Sequence, residues 1–573
     1  MKEYDLKKAF IKKGYTIKEV MEKISEATKA GLPGGIALAV DDEEKLVGVV
    51  TDGDIRRALL SNYKMEDKIE EILIKDPIVF KEEQSFKEII AEIPKKVREK
   101  KRYRGKGIVE KIIIINKEGK VVNLLDFYDL WLTQNMIHKR VSVIGLGFVG
   151  LTLSLIMADE GFEVLGVEKD DEIVKKLQNK IPPFYEPGLE SLLDYYLGNN
   201  FKIYREVLGD CEVYIIAVGT PLKSDKTPDL TALKEAIKEV GKKLKIGDLV
   251  ICRSTVPVGT TRGVVLPILE EESGLKCGKD FYLSFAPERT VEGKALYELR
   301  TLPQIIGGYD KNSLDLSLNL FKEFAPNVVS VDSLEEAEFV KLLNNTFRDM
   351  IFSFSNEFSL VCEKFNLNAT KVIMAANEGY PRDKIPVPSP GVGGYCLSKD
   401  PYFYLNACKQ ANLTLSLAEL GRKINEKIPN FIFEKIKNKL KDLKKVLKTS
   451  KIFIIGFAFK GEPETSDLRE SSTLDLLKLF KKETDNIYGY DPLVHKEEIE
   501  NLGVKYCNLN EGFRGADAVI IMNNHKSYQD IDIYKSLSQM NRPAIFCDYW
   551  YTFPVRAIKQ IEGITFIGPG ITI

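Results

Sequence analysis

Histidine is scarce in this chain of 573 residues, which contains only His138, His495 and His525. None of the three stands beside another metal-ligand residue at zinc-site spacing, and the eight cysteines include no Cys-x-x-Cys pair. The sequence therefore disfavours zinc chemistry and a Ser-His-Asp triad, and no metal is expected. Acid and base catalysis would have to come from other side chains.

Long apolar runs and a strong charge bias are also missing. No stretch reaches the roughly 18 residues that would span a bilayer, and the opening segment MKEYDLKKAFIKKG is charged where a secretory signal would be apolar. The net charge of -1 gives no general attraction to nucleic acid or to an anionic membrane. The basic run at 95–106 is interpreted as a solvated surface, with a phosphate contact as the alternative. We expect a cytoplasmic protein with no nucleic-acid or membrane partner.

What the chain has is ample apolar sequence, 44% of its residues, which is enough for three or four packed domains. Its first part contains an internal repeat: IALAVDDEEKLVGVVTDGDIRRALL at 36–60 is echoed by IIIINKEGKVVNLLDFYDLWL at 112–132. Each copy predicts strand, turn, strand and helix, and the first helix is expected to begin near Ile55.

Polar residues recur at the ends of these predicted strands. Thr51 and Asp54 in the first copy, and Asp126 in the second, stand where a helix N-terminus can bind phosphate and a carboxylate can bind ribose hydroxyls. Residues 1–135 resemble a pair of cystathionine-β-synthase (CBS) motifs, modules that often bind adenine nucleotides and regulate an attached enzyme. An adenine nucleotide ligand and a purely structural dimerisation role both stay open.

The segment RVSVIGLGFVG at 140–150 predicts a strand that runs into a glycine-rich turn and then a helix. Its G-x-G-x-x-G spacing, followed by an acid at the end of the next predicted strand, is typical of a dinucleotide-binding unit. An acid there can bind a ribose and would repel a 2′-phosphate, so the cofactor is predicted to be NAD. The residues expected to contact NAD are Gly145, Gly147, Phe148, Val149, Gly150, Glu168 and Thr220.

Two further strands are predicted at 213–221 and 248–261, and both end in polar residues at the expected cofactor crevice. Thr220 follows the first and Thr255 the second. Either hydroxyl could contact nicotinamide or ribose, and ordinary turn chemistry is the alternative.

A long helix is predicted at 337–365, and Lys341 and Asn345 share one of its faces because they are four residues apart. An ammonium and an amide that point together into a cleft could stabilise an oxyanion. A solvated helix surface would give the same pattern.

The carboxy-terminal part again alternates strand and helix patterns: KIFIIGFAFKG, LRESSTLDLLKLF, IYGYDP, ADAVIIMNNH and AIFCDYW. It lacks G-x-G-x-x-G. Lys460 follows its first strand and Arg469 opens the next predicted helix, so cations and free amides are available for the diphosphate of a second nucleotide. Two such domains around a helical middle indicate one nucleotide as oxidant and another as the handle of the substrate.

Taken in order, the motifs GLGFVG, FYEPGL, STVPVGTT, APER, KLLNNTFR, GVGGYCLSKDP, GFAFKG and DLRES resemble the nucleotide-sugar 6-dehydrogenases over residues 139–573. The resemblance implies oxidation of a sugar C6 alcohol to a carboxylate in two hydride transfers to NAD. Cys396 would capture the intermediate aldehyde as a thiohemiacetal, whose oxidation gives a thioester for hydrolysis. The glycines beside it would let the backbone lie close to sugar and nicotinamide.

The same resemblance implies roles for other residues. Lys341 would supply positive charge near the thiol and, with Asn345, hold oxyanions. Asp400 would act with Thr255 and water in proton transfer, and Glu288 as general acid or base in thioester hydrolysis.

Substrate contacts are implied for five cationic side chains: Arg289, Arg348, Arg382, Lys460 and Arg469. Lys460 and Arg469 would hold the nucleotide diphosphate and sugar. Arg382 matches an arginine that reaches the substrate of a neighbouring subunit, so at least a homodimer is expected.

The choice of sugar depends on small departures between branches of the family. Arg289 in ERTVEG and Arg348 in NTFRD resemble the N-acetylhexosamine branch, where extra donors could meet an acetamido group. Glu292, where many of that branch carry proline, and two extra residues between Lys460 and Arg469 depart from it. UDP-N-acetylmannosamine is favoured, its glucosamine epimer is retained, and UDP-glucose is the alternative.

The predicted fold class is α/β. We expect a CBS-domain pair at 1–135, an NAD-binding Rossmann domain at 138–330, a central helical dimerisation domain with the cysteine loop at 331–446, and a second Rossmann-like domain that binds the UDP-sugar at 447–573.

The sequence disfavours two other classes of protein. A CBS nucleotide sensor with an inactive dehydrogenase is disfavoured by the intact Cys396, Lys341, Asn345 and Asp400. A one-hydride β-hydroxyacid dehydrogenase would need neither the cysteine loop nor a second nucleotide domain.

Overall fold

The computed structural model describes residues 5–84, 89, 92–93, 96–97, 100, 111–126, 140–413 and 416–573. The chain divides into two compact units, Met1–His138 and Lys139–Ile573, which are described separately. Among the described residues, every helix is too short or too polar to cross a bilayer.

The first unit contains two small sheets of the same design. Their strands are β1 (Phe10–Ile11), β2 (Ile36–Val40), β3 (Leu46–Thr51), β4 (Val79–Lys81), β5 (Lys111–Ile115) and β6 (Val121–Asp126). In each sheet the middle strand pairs parallel with one neighbour and antiparallel with the other, in the orders β1-β2-β3 and β4-β5-β6. The predicted repeat is confirmed in these strand pairs. The helix predicted after β6 and most of the basic run at 95–106 lie outside the described residues.

Two helices accompany the first sheet, α1 (Ile17–Lys29) and α2 (Asp52–Leu60), with 3-10 turns at Leu6–Ala9 and Ile69–Glu71. The prediction that the second helix begins near Ile55 is wrong, because it begins at Asp52 directly after β3. Thr51 is its N-cap, and its hydroxyl accepts a hydrogen bond from the Asp54 amide. This capping box satisfies amides that would otherwise lack partners, so the helix starts three residues earlier than expected.

The second unit begins with a large, mostly parallel sheet. Its strands are β7 (Arg140–Ile144), β8 (Glu163–Val167), β9 (Phe201–Tyr204), β10 (Val213–Ile216), β11 (Leu249–Cys252), β12 (Tyr282–Phe285), β13 (Gln304–Gly308) and β14 (Val328–Val331). They lie in the order β14-β13-β12-β11-β10-β7-β8-β9, and only β12 and β13 pair antiparallel among them. The six strands β7 to β12 thus have the 3-2-1-4-5-6 order of a dinucleotide-binding sheet.

Helices cover both faces of this sheet, which explains why its central strands are mostly apolar and buried. They are α3 (Phe148–Asp159), α4 (Asp171–Gln178), α5 (Leu189–Tyr196), α6 (Thr231–Gly241), α7 (Leu266–Ser273), α8 (Ala295–Thr301) and α9 (Lys311–Lys322), with a π-helical turn at Thr261–Val265.

Four helices form the middle of the second unit: α10 (Leu334–Phe365), α11 (Ala369–Asn377), α12 (Tyr395–Gln410) and α13 (Leu417–Asp442). The longest, α10, begins at the N-cap Ser333 and ends at Asn366, whose positive φ of 51° stops the helix. It packs against both α12 and α13.

A second parallel sheet closes the chain. Its strands are β15 (Ile452–Ile455), β16 (Ile487–Tyr490), β17 (Lys505–Tyr506), β18 (Ala518–Ile521), β19 (Ala544–Asp548), β20 (Ile564–Gly568) and β21 (Ile571–Thr572), and its helices are α14 (Ser472–Lys481), α15 (Lys496–Asn501), α16 (Leu509–Phe513), α17 (Ile533–Ser538) and α18 (Val555–Ile558), with a 3-10 turn at Lys526–Asp530. The order β17-β16-β15-β18-β19-β20-β21 repeats 3-2-1-4-5-6 with one added antiparallel strand. The predicted fold class is confirmed, with Arg469 preceding α14 rather than opening it.

Candidate active site

Cys396 is the second residue of α12, and Gly394 is the N-cap of that helix. A helix N-terminus carries partial positive charge, which favours a thiolate. The side chain is exposed to solvent although protein atoms surround it closely enough for desolvation to raise the pKa of its thiol. The thiol is therefore open to solvent on one side and surrounded by protein atoms on the others.

Charged side chains on α10 and α12 act on this thiol. Desolvation has the largest effect and raises the pKa of Cys396, while Lys341 on α10 lowers it most strongly. Asp400 raises the pKa and Lys399 lowers it. Lys341 and Lys399 are both buried, so their charges are weakly screened by water. Lys341 therefore lies close enough to Cys396 for its charge to oppose the rise in the pKa of the thiol.

Asp400 lies one helical turn beyond Cys396 and is fully buried. Its Oδ2 accepts a hydrogen bond of 2.7 Å from Asn345 Nδ2, and its Oδ1 lies 3.3 Å from Lys399 Nζ. Lys399 also donates to Thr220 Oγ1 over 3.3 Å, and Thr220 donates to the Thr255 carbonyl over 2.5 Å. A continuous polar chain thus joins α10, the cysteine helix and the ends of β10 and β11.

Glu288 lies in the segment after β12 and is buried against Arg253, with 2.5 Å between Glu288 Oε2 and Arg253 Nη2. The amides of Arg289 and Thr290 donate to its other oxygen. Burial alone would raise the pKa of Glu288, but Arg253, the Thr290 amide and Lys341 outweigh it and hold the pKa below its usual range. The group is held as a carboxylate, which suits a base rather than an acid.

Lys460 and Arg469 lie on the long loop between β15 and α14, facing the first sheet's loop that carries Glu292. Lys460 Nζ donates to the Glu292 carbonyl over 2.7 Å, and Arg469 Nη2 is 3.8 Å from Glu292 Oε1. Arg469 pairs with Asp467 at 2.7 Å and lies over the Tyr395 ring, next to Cys396. Of the two predicted diphosphate ligands, Arg469 therefore lies beside the first residue of the cysteine helix, and Lys460 lies beside Glu292.

Glu292 is the least expected member of this group. Its carboxylate accepts a hydrogen bond from Thr465 Oγ1 over 3.1 Å. Burial and the charge of Asp467 raise the pKa of Glu292 to about 7, against the opposing charges of Lys460 and Arg469. It is a carboxyl group poised to titrate near neutral pH beside two cations.

The glycines of the cysteine loop pack against protein atoms. A Cβ on Gly393 would lie 2.4 Å from the Glu470 carbonyl oxygen, and one on Gly394 would lie 2.5 Å from Phe459 Cδ2. Gly394 also has a φ of 89° and donates its amide to Glu470 over 2.9 Å. Glycine is therefore required at these positions because the backbone packs closely against the loop after β15. This packing fixes the cysteine loop to the second sheet.

The predicted dinucleotide turn has the geometry that a pyrophosphate needs. A Cβ on Gly150 would lie 1.8 Å from the Gly145 carbonyl oxygen, so α3 can approach the turn only with glycine there, whereas a Cβ on Gly147 would meet nothing within 4 Å. Phe148 and Val149 follow as the first residues of α3. Glu168 is partly exposed and accepts the Leu146 amide over 2.8 Å. Open space above a helix N-terminus, with an acid beside it, fits NAD.

The remaining predicted substrate residues lie further apart. Arg289 donates to the Pro303 carbonyl over 2.9 Å within its own domain. Arg348 is exposed on α10, three residues beyond Asn345 and on the same face. Arg382 is exposed over the Tyr380 ring, in the segment before the cysteine loop.

In the first unit, the predicted nucleotide residues bind neighbouring protein groups. The Thr51 hydroxyl donates to Asp54 Oδ2 over 2.7 Å, and Arg57 pairs with the same carboxylate. Asp126 at the end of β6 pairs with Lys111. A ligand at these positions would have to exchange with these contacts.

Sequence reasoning missed four residues that the structure places around the site: Arg253, Asp349, Lys399 and Arg422. Arg253 follows the apolar strand LVIC directly, and a cation at the carboxyl end of a buried strand was the signal available. Lys399 lies inside the motif GVGGYCLSKDP, three residues after Cys396. Asp349 and Arg422 pair across 73 positions, and no local pattern indicates that contact.

Comparison with protein families gives four matched regions. The NAD binding domain of the UDP-glucose/GDP-mannose dehydrogenase family matches residues 139–325, the central domain 335–427 and the UDP binding domain 453–554. A CBS domain matches residues 4–61.

Several characterised proteins are similar over the same region. UDP-N-acetyl-D-mannosamine dehydrogenase of Pyrococcus horikoshii is 34% identical over 71% of this chain and 94% of its own length. The enzyme of that name from Campylobacter jejuni is 33% identical over 70% of this chain and 98% of its own length.

Solved structures extend the similarity to the fold. UDP-D-ManNAc dehydrogenase from Pyrococcus horikoshii superposes with a TM-score of 0.68 at 32% identity, over 75% of this chain and 99% of that one. A UDP-glucose dehydrogenase from Pyrobaculum islandicum gives a TM-score of 0.66 at 25% identity, over 76% and 98%.

Proposed function

Because the chain belongs to the UDP-glucose/GDP-mannose dehydrogenase family, we propose that it oxidises the C6 hydroxyl of UDP-N-acetylmannosamine to a carboxylate through Cys396. It is an NAD-dependent nucleotide-sugar dehydrogenase with an amino-terminal CBS domain. The observation that carries the proposal is the exposed Cys396 thiol at a helix N-terminus, beside the buried cation Lys341. An exposed thiol so placed suits capture of an aldehyde.

The residues that would hold NAD are those of the turn after β7 and the acid after β8. The open space at Gly147 leaves room for a pyrophosphate, Glu168 would accept ribose hydroxyls, and Thr220 lies at the neighbouring strand end. When bound, NAD accepts the hydride that C6 loses in each of the two oxidations.

Proton and oxyanion handling falls to α10 and α12. The C6 hydroxyl proton would leave to water held near Asp400 and Thr255. The Cys396 thiolate then adds to C6 of the aldehyde, which forms a C–S bond and an alkoxide that Lys341 and Asn345 would stabilise. The 2.7 Å bond from Asn345 to Asp400 fixes the amide for this task.

Hydrolysis follows the second oxidation. Water adds to the thioester carbon, the C–S bond breaks, and the thiolate of Cys396 leaves. Glu288 would take the proton of the attacking water, and its lowered pKa favours this base role over the acid role. Arg253 is the missed residue that keeps this carboxylate ionised.

The choice of UDP-N-acetylmannosamine as the favoured sugar depends on the relatives and on two arginines, Arg289 and Arg348. The relatives at 33–34% identity are named UDP-N-acetyl-D-mannosamine dehydrogenases, and Arg348 lies exposed on the Lys341 face of α10. UDP-N-acetylglucosamine stays a candidate. UDP-glucose is the second candidate, favoured by the unexpected Glu292 and by the fold shared with a UDP-glucose dehydrogenase.

A panel of UDP-N-acetylmannosamine, UDP-N-acetylglucosamine, UDP-glucose and GDP-mannose tests the proposal by NADH release. We expect the highest kcat/KM for UDP-N-acetylmannosamine and two NADH per sugar. One NADH per sugar with a carbonyl product would refute the four-electron mechanism. Cys396→Ser should reduce turnover by at least about a thousandfold, and Cys408→Ser, a buried cysteine on the same helix, serves as the control.

A homodimer is part of the proposal, and α10 supplies the surface. Large apolar side chains recur along one side of this helix and are exposed in the chain: Phe339, Leu343, Phe347, Phe354, Val361 and Phe365. A stripe of this size is usually covered by another surface, and a two-fold pairing would bring Arg382 of one copy toward the other. Light scattering on Phe347→Glu against wild type tests it, with a monomeric variant expected.

We also retain an adenine nucleotide as a candidate ligand of the CBS domain, through Thr51 and Asp54, and Asp126 for the second half of the predicted pair, with a purely structural dimerisation role as the alternative. Calorimetry with ATP, ADP and AMP tests this, and absence of binding would leave a structural role. The cytoplasmic location stays a prediction.

A further inference from the structure

Arg422 on α13 holds the cysteine loop from behind. It is only 3% exposed, and its Nη2 donates to the Val392 carbonyl over 2.8 Å while its Nη1 donates to the Leu397 carbonyl over 3.1 Å. These two carbonyls bracket Cys396 on either side. A single rigid guanidinium thus sets the span of backbone on which the thiol stands.

Asp349 on α10 completes the arrangement. Its Oδ1 accepts from Arg422 Nη1 over 2.7 Å and from Asn425 Nδ2 over 2.8 Å, and the residue is fully buried. Asp349 lies four residues after Asn345 and eight after Lys341, on the same helix. One carboxylate therefore connects the helix that carries the oxyanion donors to the guanidinium that holds the cysteine loop.

Hydrogen bonds extend this network to the upstream arm of the loop. Asn356 Nδ2 donates to Asn425 Oδ1 over 2.9 Å, and Asn356 Oδ1 accepts the Ser389 amide over 2.9 Å. The Ser389 hydroxyl donates to the Gly391 carbonyl over 2.9 Å. Both ends of the cysteine loop are thus tied to α10 and α13 by buried polar contacts.

The buried ion pair of Arg422 and Asp349 is not well suited to stabilising the fold. Burying two opposite charges costs desolvation that their attraction often fails to exceed, so apolar replacements of similar volume can be equally stable. Desolvation raises the pKa of Asp349 to about 6 despite the opposing charge of Arg422. Among the described residues, Asp349 Oδ2 has no hydrogen-bond partner. Because this ion pair leaves one carboxylate oxygen without a partner, its role is better explained by how it positions the cysteine loop than by stability.

We propose that Arg422 and Asp349 are positioning residues that hold the Cys396 thiol in register with Lys341 and Asn345. Neither touches the reacting atoms, so both act through the loop and the helix. The proposal rests on the proposed function for its effect on turnover, because a misplacement of about 1 Å can cost a hundredfold in rate. Its effect on thiol reactivity requires no substrate.

Arg422→Lys is the first variant, since one ammonium keeps the charge but cannot bridge both carbonyls with a fixed fork. We expect kcat to fall roughly 10- to 100-fold, while KM for NAD changes less than about threefold. The rate of Cys396 alkylation by iodoacetamide, followed at its own peptide by mass spectrometry, should shift its pH midpoint upward because the thiol moves away from Lys341.

A second variant distinguishes an effect on the position of the thiol, seen in kcat, from an effect on folding, seen in the melting temperature. Replacing both charges together, Arg422→Met with Asp349→Leu, removes the cost of burying the ion pair but leaves the Val392 and Leu397 carbonyls without this donor. We therefore expect a smaller loss of melting temperature than in Asp349→Leu alone, which leaves an unpaired buried guanidinium, while kcat falls at least as far as in Arg422→Lys. Lys423→Met is the matched control, because this neighbouring cation is exposed and pairs with Glu419 on the surface. It should leave kcat and the alkylation profile unchanged.

The outcomes are separable. An unchanged alkylation profile together with wild-type kcat in either variant would overturn the positioning role. If the double variant fails to fold, Arg422→Lys decides, provided that its melting temperature matches Lys423→Met. If wild type oxidises none of the four nucleotide sugars, the proposed function fails, and the alkylation profile still tests the positioning of the thiol.

Discussion

The two large sheets of the second unit share one topology and differ in their first turn. Both place six strands in the 3-2-1-4-5-6 order, and in both a glycine with φ near 90° follows the first strand, Gly145 at 92° and Gly456 at 94°. In the first sheet the helix begins at Phe148, directly after the turn. In the second the chain runs through residues 456–471 before α14 begins at Ser472.

The acid after the second strand differs in the same way. Glu168 is partly exposed, with bonds to the amides of Leu146, Lys169 and Asp170. Asp491 is buried and accepts the amides of Phe457 and Ala458 and the side-chain amide of Asn523. The equivalent carboxylates therefore differ in exposure: Glu168 stays partly open to solvent, as the proposed ribose contact requires, whereas Asp491 is buried against the protein's own loop.

This difference shows how one fold provides two kinds of nucleotide site. A tight turn leaves helix amides open for a pyrophosphate. A long loop instead carries its own cations, with Arg469 over Tyr395 of the cysteine helix and Lys460 bonded to the Glu292 carbonyl. Site chemistry is set by loops, while the strand order only fixes which strand ends meet.

The largest expected effect tests the tight turn. Gly150→Ala would place a methyl group 1.8 Å from the Gly145 carbonyl oxygen, so the turn and α3 must separate. We expect a loss of about 3–5 kcal/mol, seen as a lower melting temperature. Gly147→Ala, where a Cβ meets nothing within 4 Å, should keep the melting temperature and raise KM for NAD. Equal melting temperatures in the two variants would contradict this account of the turn.

An intermediate effect is expected from exchanging the two acids for amides. Asp491→Asn turns one oxygen into a donor that faces several other donors, so we expect a loss of roughly 2–4 kcal/mol in stability. Glu168→Gln should change stability by less than about 0.5 kcal/mol and weaken the preference for NAD over NADP, because the charge that repels a 2′-phosphate is gone. Thermal unfolding of both variants measures the change in stability, and KM for NAD and NADP measures the change in cofactor preference. A stability loss in Glu168→Gln as large as in Asp491→Asn would contradict the proposed difference between the partly exposed and the buried carboxylate.

The smallest expected effect concerns Glu292, which belongs to the first sheet's loops and faces the cations of the second. The pKa of Glu292 is raised to about 7 by burial and by Asp467, with Lys460 and Arg469 opposing. Above that pH the carboxylate competes with a diphosphate for both cations, so KM for the nucleotide sugar should rise roughly threefold from pH 6 to pH 8.

Glu292→Gln is the variant that isolates this group. Its KM for the nucleotide sugar should stay level from pH 6 to pH 8, because the amide does not ionise. The diphosphate diester of the sugar nucleotide does not titrate in this range, so the change reports on the protein. A variant that keeps the wild-type pH dependence would assign the titration to another group.

Much of this architecture could be read from local patterns. The strands were predicted where apolar runs end in Gly, Pro or polar residues, because a buried parallel strand needs apolar side chains on both faces. The start of α2 was misplaced because the Thr51–Asp54 capping box outweighs the apolar pattern. Several strands were not predicted, among them Phe201–Tyr204, Tyr282–Phe285, Gln304–Gly308, Val328–Val331 and Ile564–Gly568. The two-residue strands Lys505–Tyr506 and Ile571–Thr572 were also missed, since two residues carry too little pattern to detect.

By itself the sequence determined the local requirements of the protein: a glycine-rich turn between a strand and a helix, and a Lys341 and Asn345 that share a helix face. Only the tertiary structure decided which charges meet, as in Arg253 with Glu288 and Arg422 with Asp349. The physical reason is that local propensity depends on neighbouring residues along the chain. The cost or benefit of a buried charge depends on partners that only the packed fold brings within reach.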